Sequence, residues 1–301
     1  MAAPVVPIRA SVTSTVGAYV ALTKPRIIEL LLITTVPVMV VAAQGMPSVW
    51  LILATVIGGT LSAGGANAVN MWVDRDIDAV MERTKGRPLV TGAVTPNAAL
   101  VFAISIEVVS FVWLWVLVNP LSAVLALSGC LYYVFVYTLW LKRSSTQNIV
   151  IGGAAGAVPV LIGWAAVTDG LSISAWALFG VVFFWTPPHF WALAIRYRDD
   201  YSSVDVPMLP SVSSMRTTTD QMFLHTLALV ACSVLFGFTE SMGLIYWVGA
   251  VASGVAFGVL TWGVRRSPSP SNAMKLFHFS ITYLTVLFVA MAVDVLVRFG
   301  L

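Results

Sequence analysis

Nine stretches of about twenty mostly apolar residues, separated by Pro, Gly and charged clusters, leave this chain one environment in which to fold. They lie near 27–43, 50–70, 97–117, 121–140, 147–167, 172–193, 221–239, 244–263 and 277–297. A helix needs about 20 apolar residues to cross a bilayer, and in lipid each backbone N–H and C=O must be satisfied inside the protein. With 59% hydrophobic and only 10% charged residues over 301 positions, a soluble domain is excluded and no nucleic-acid partner is expected. The expected fold class is an all-α polytopic membrane protein with nine transmembrane helices, forming one integral-membrane domain over 1–301.

The basic residues orient it. Fifteen of the sixteen Lys and Arg residues fall before the first stretch or after the second, fourth, sixth and eighth; Arg298 is the exception. The positive-inside rule then places the N-terminus in the cytoplasm and the C-terminus outside, which requires an odd number of spans. Residues 1–20 lack the charge, apolar core and cleavage site of a signal peptide. They are expected to be a cytoplasmic segment, either a short interfacial helix or mobile. Cys130 and Cys232 have no metal-ligand spacing and read as structural thiols.

The chemistry concentrates where the second stretch ends. In NMWVDRDID, Asn70, Asp74 and Asp78 are spaced by four, so a helix stacks an amide and two carboxylates on one face at the hydrocarbon edge. Three acids in five residues (Asp74, Asp76 and Asp78) repel unless a cation is present. Asp76 points to another face and is expected to pair with a basic residue. The basic run Arg83, Lys85 and Arg87 follows. Carboxylates able to hold a hard cation, beside cations able to hold phosphate oxygens, suggest a Mg2+-diphosphate site facing into the membrane. The alternative for the acids is a solvated helix end paired to Arg75 or Arg83.

A second polar loop, PPHFWALAIRYRDDYSSVDVPMLP, runs from Pro187 to Pro210. Pro187 and Pro188 are expected to break or kink the sixth helix, exposing backbone to a cavity. Asp199, Asp200 and Asp205 lie just beyond. Helices one to four and five to eight read as two halves with an acidic-basic loop after the second helix of each, a positional repeat that places a site between them.

These motifs resemble the UbiA-type intramembrane prenyltransferases, and within them the branch that modifies haem. The resemblance rests on the Asn70, Asp74, Asp78 pattern and on LTKPRIIELLLITTVP (22–37), ANAVNMWVDRDIDAVMERTKGRPLVTG (66–92), YTLWLKRSSTQNIVIGGAAGAVPVLIGW (137–164), WTPPHFWALAIRYRDDYSSVDVPMLP (185–210) and LFHFSITYL (276–284). It implies nine helices around a central cavity, Mg2+ as cofactor, and transfer of the farnesyl group of farnesyl diphosphate to a vinyl group of haem B. Water addition then gives haem O for haem-copper oxidase assembly, with handover to haem A synthase or the assembly machinery. It further implies an active site toward the cytoplasm of a bacterial-type plasma membrane, with Asn70, Asp74, Asp78, Asp199 and Asp200 as catalytic and metal-binding residues. Arg83, Lys85, Arg87, Lys142 and Arg143 would bind the diphosphate. One departure stands: the D-x-x-x-D motif of relatives acting on aromatic rings is absent, since Asp199 plus four is Ser203 and Asp200 plus four is Val204.

His189, after the double proline, is expected either to ligate haem iron or to hydrogen-bond a substrate, whereas His225 and His278 read as hydrogen-bonded core histidines. Arg26 and Glu29 are expected to pair. The run IGGAAGAVP (151–159) reads as close helix packing. Glu107 and Asp294 are intramembrane acids, which are costly without partners. Asp294 is near enough to the outer end to snorkel; Glu107 has no account. They support the rival class, a cation-coupled transporter. Within the enzyme class the alternative is a prenyltransferase acting on a quinone precursor.

Overall fold

The computed structural model describes residues 12–300, without the side chains of 12–13 and 26–32, so the expected Arg26–Glu29 pair lies outside the described residues. Every regular element there is helical: α1 (Val12–Leu22), α2 (Pro25–Ala43), α3 (Val49–Val73), α4 (Arg75–Val80), α5 (Pro96–Leu117) and α6 (Pro120–Leu131) come first. The chain then continues through a π-helical segment (Tyr132–Leu141), α7 (Lys142–Ser144), α8 (Asn148–Thr168), α9 (Ile173–Arg196), α10 (Arg198–Ser202), α11 (Leu209–Val212), α12 (Met215–Thr239), α13 (Leu244–Arg266) and α14 (Pro270–Phe299). Starts follow local chemistry. Ser48, Thr95, Asn119, Ser172, Ser214 and Ser269 each accept, through the side chain, the N–H three residues on, and Pro opens α2, α5, α6 and α14.

Eight spans among the described residues are long and apolar enough to cross a bilayer, counting Pro120–Ser144 as one. The expected ninth falls on α2, whose described apolar part is Ile33–Ala43. Successive long helices pack as neighbours from α2 round to α14, and α14 returns against α2, closing a ring. Contacts of α2 with α8 and of α9 with α14 tie its two sides together. The α2–α8 contact is close because Gly163 has no side chain: a Cβ there would sit 2.8 Å from the Thr35 carbonyl oxygen. The glycine run packs as expected, since a Cβ on Gly152 would meet the Tyr137 ring at 2.3 Å. Outward faces repeat every three to four residues, as in Val101, Ile104, Val108, Val112 and Trp115 of α5, which suits hydrocarbon. Trp185, Trp191, Phe236, Tyr246, Phe257, Tyr283 and Phe288 fill the interior on the α9–α14 side.

Three expectations need correction. Pro187 and Pro188 do not break the sixth spanning helix: α9 runs through both to Arg196. Both prolines are buried where α8, α12 and α14 pack around α9, and such neighbours hold a proline-containing helix in its course. Asp294 does not snorkel. It is 2% exposed and accepts the N–H groups of Gly243 (2.7 Å), Ile245 (3.1 Å) and Tyr246 (3.3 Å), so α14 supplies the anionic cap that α13 lacks in its own sequence. His278 is exposed on α14 rather than in the core, while His225 bonds the Gln221 carbonyl oxygen at 2.8 Å through Nδ1.

Candidate active site

The four-residue spacing of Asn70, Asp74 and Asp78 survives as geometry. Asp74 sits at the α3–α4 junction, yet its N–H still reaches the Asn70 carbonyl at 2.9 Å and the Asp78 N–H reaches the Asp74 carbonyl at 2.8 Å. The three side chains therefore stack, and they are buried: 3%, 0% and 2% exposed. An unpaired carboxylate at such a depth costs several kcal/mol, so each needs a partner. Lys142 pairs with Asp74 Oδ2, and Arg87 donates to Asp78 Oδ2 at 2.5 Å. Arg143 forks onto Asp76 at 2.6 and 2.7 Å and lies 3.6 Å from Asp74 Oδ1. Its hydrogen bonds hold the Asp76 carboxyl down at about 2, and Asp76 is the salt-bridge partner expected of it. Arg75, by contrast, turns back to the Trp72 carbonyl and lies over that indole.

Two partners went unread in the sequence. Lys24 donates to Asn70 Oδ1 at 2.7 Å, and Asn70 Nδ2 donates both to Asp74 Oδ2 (2.9 Å) and to Thr138 Oγ1 (3.1 Å). Lys24 has φ 53° just before Pro25, a left-handed stop between α1 and α2 that turns it toward α3. Burial, reinforced by the Arg87 and Lys142 charges, pushes its ammonium down to about 7. The available signal was a lysine at a helix start, where cations are unfavourable, directly before a helix-opening proline. Thr138 comes from the π-helical segment, a local widening often found at functional sites, and no spacing rule marks it.

The remaining expected residues divide. The loops after α4 and α9 do meet, since Asp200 accepts the Arg83 N–H at 3.3 Å. Lys85 is exposed and paired with Glu82, and Asp199 and Asp205 are exposed. Asp199 and Asp200 are not gathered with Asp74 and Asp78: among the described residues no three His, Cys, Asp or Glu side chains converge as a metal-holding group. In this arrangement Asp74 and Asp78 hold cationic side chains and Asp200 holds a backbone N–H. The donors nonetheless suit a hard cation. All are oxygens, and Asp74 Oδ1 is buried without a hydrogen-bond partner.

His189 is buried on α9, its ring stacked between Trp185 (4.1 Å between centroids) and Phe277 (4.5 Å), with Nδ1 2.6 Å from the Ser280 hydroxyl oxygen. Both Phe277 and Ser280 lie within the LFHFSITYL motif of α14, so this clamp joins two of the segments singled out from the sequence.

Comparison with known proteins adds the following. The model of the UbiA prenyltransferase family matches residues 31–288. The chain is 54% identical over 285 residues to a protein named protoheme IX farnesyltransferase from Clavibacter michiganensis subsp. michiganensis, covering 94% of this chain and 93% of that one. A protein of the same name from Frankia alni is 54% identical over 286 residues, covering 94% and 99%. Among solved structures, a digeranylgeranylglyceryl phosphate synthase superposes with TM-score 0.77 at 16% identity, covering 93% of this chain and 98% of that one. A UbiA homolog from Archaeoglobus fulgidus bound to GPP and Mg2+ superposes with TM-score 0.62 at 14% identity, covering 91% and 99%.

Proposed function

The chain belongs to the UbiA prenyltransferase family, and we propose that it transfers the farnesyl group of farnesyl diphosphate to a vinyl group of haem B, with addition of water, giving haem O. The observation that carries this reading is the near-full-length identity to protoheme IX farnesyltransferases, together with a buried acid set interlocked with basic side chains. In the reaction the C–O bond of the allylic diphosphate breaks, the vinyl carbon bonds to farnesyl C1, and water supplies the hydroxyl while a proton is released. No protein nucleophile is needed.

Asn70, Asp74 and Asp78 would hold Mg2+, with Asp199 and Asp200 as further acids beside the diphosphate; when bound, the ion offsets charge on the departing diphosphate. With an ion on these acids, Lys142 and Arg87 would be free to donate to diphosphate oxygens beside Arg143, and Lys24 would be free of Asn70. Arg83 and Lys85 follow from the adjoining loop. The basic donors for the diphosphate thus already stand beside the acids. The apolar interior excludes water from the allylic cation until the vinyl group has captured it. Haem O carries an apolar farnesyl tail beside its propionates, so handover to haem A synthase or to oxidase assembly would keep that tail within the bilayer.

Purified protein supplied with haem B, farnesyl diphosphate and Mg2+ should form haem O, read by mass. No product from an intact, lipid-reconstituted protein would overturn this reading. Prenylation of a quinone precursor instead would assign it to the nearer alternative. The transporter reading loses its outer acid, because Asp294 is committed to three N–H groups.

The acid cluster faces the cytoplasm of a bacterial-type plasma membrane in this proposal, with the N-terminus inside and the C-terminus outside. Accessibility tags near residues 80 and 205 should both report from the cytoplasmic side; labelling of either from outside would reverse the orientation.

His189 is assigned to haem. If its imidazole ligates the iron, His189→Ala should weaken haem B binding and alter its absorption spectrum while leaving farnesyl diphosphate binding intact. If it hydrogen-bonds the diphosphate instead, donor affinity falls and the spectrum stays. An unchanged spectrum, donor affinity and turnover would reduce it to the aromatic packing described above.

A further inference from the structure

Helices α3 and α5 run antiparallel and are joined by a ladder of hydrogen bonds that ends at Glu107. Trp113 Nε1 donates to the Ala54 carbonyl (2.9 Å), Ser110 Oγ donates to the Gly58 carbonyl (2.7 Å), and Ser62 Oγ lies 3.1 Å from Glu107 Oε1. The α3 positions advance by four and the α5 positions retreat by three, so the ladder sets the register of the two helices turn by turn. One turn further, Gly65 packs so tightly on α5 that a Cβ would sit 3.0 Å from the Ala103 carbonyl oxygen and 3.1 Å from Glu107 Oε2. The same rung reaches α6: Ser62 Oγ is also 3.3 Å from the Ala126 carbonyl oxygen.

The hydroxyl of Ser62 links the two helices to Glu107. This hydroxyl has one proton and faces two acceptors, the Ala126 carbonyl and the Glu107 carboxyl. A protonated Glu107 resolves this, its O–H donating to Ser62 Oγ while Ser62 donates to Ala126. An ionised carboxylate would instead lie within the membrane-spanning part of α5 with the Ser62 hydroxyl as its hydrogen-bond donor and Oε2 buried and unpartnered. Among the described residues, Cys130 is the titratable group that meets it.

We propose that Glu107 is a positioning residue for the prenyl donor, held as a neutral carboxylic acid that locks α3 to α5 and α6 at one height. That height matters because α3 carries Asn70 and Asp74 to Thr138 and Lys142, which continue α6 through its π-helical segment. His189 stands on α9 against α14 and is outside this lock.

The inference rests on the proposed reading of the α3 acids as the donor site. Glu107→Gln keeps both a donor and an acceptor, and its KM for farnesyl diphosphate should stay within about twofold of the parent. Glu107→Leu removes both, and that KM should rise about tenfold or more while the KM for haem B holds. Ser62→Ala should move the donor KM the same way by less, and it serves if the leucine variant does not fold. Damage from Gln equal to that from Leu would mean that an ionised or proton-exchanging carboxyl is required, which overturns the proposal. So would an unchanged donor KM, or an equal rise in both KM values. Asp74→Asn in a direct farnesyl diphosphate binding assay separates the two failures: normal binding there moves the donor site elsewhere, whereas lost binding with an unaffected Glu107→Leu removes only the role of Glu107.

Discussion

Asp74→Asn and Asp78→Asn should each lower conversion of haem B to haem O by about a hundredfold or more while the protein stays in the membrane. The substitution keeps size and shape and removes one charge, so the loss falls on cation binding and on stabilisation of the departing diphosphate. The two positions should differ in a second respect. Asp74 neutralises Lys142 with Arg143 at 3.6 Å, whereas Asp78 neutralises Arg87 alone, so Asp74→Asn strands more buried positive charge. Turnover near the parent level at saturating Mg2+ in both variants would place the metal site elsewhere.

The largest stability effect is expected at Lys142. Its ammonium meets an Asp74 carboxylate that is 0% exposed, and replacing it by Met leaves that charge buried with the neutral Asn70 amide and a weaker contact to Arg143. Breaking a buried pair from one side costs about 3–5 kcal/mol, so Lys142→Met should lower Tm markedly in detergent. Adding Asp74→Asn to the same chain should recover much of the loss, since the stranded charge is then gone, although activity will not return. A double variant no more stable than Lys142→Met would show that the pair contributes through packing of the lysine stem. Arg143→Leu should cost less, because Arg143 is spent largely on the exposed Asp76.

Much of the fold was legible in the sequence because a bilayer simplifies the problem. Spans, caps and helix-opening prolines follow from local hydropathy and hydrogen-bonding rules, and the acid stack follows from 3.6 residues per turn. The Asn70, Asp74, Asp78 face needed no tertiary information, nor did the salt-bridge role of Asp76 or the packing role of Gly152. What escaped were pairings between segments distant in sequence. Which of many loop cations would reach which acid depends on how α6 leaves its π-helical segment and how the Arg83–Arg87 turn folds back. A positive-inside bias puts Lys and Arg in all these loops alike. The course of α9 through Pro187 and Pro188 was likewise invisible, because a proline's local penalty is known but the support of α8, α12 and α14 is not. Asp294 looked like an unpaired membrane acid until Gly243, Ile245 and Tyr246 supplied three N–H groups from another helix start. Local propensity thus specified the helices and the chemical character of the acid face. The partner of each buried charge was specified by packing, since burial forces a charge to find a partner but only the arrangement of the ring says which one is near.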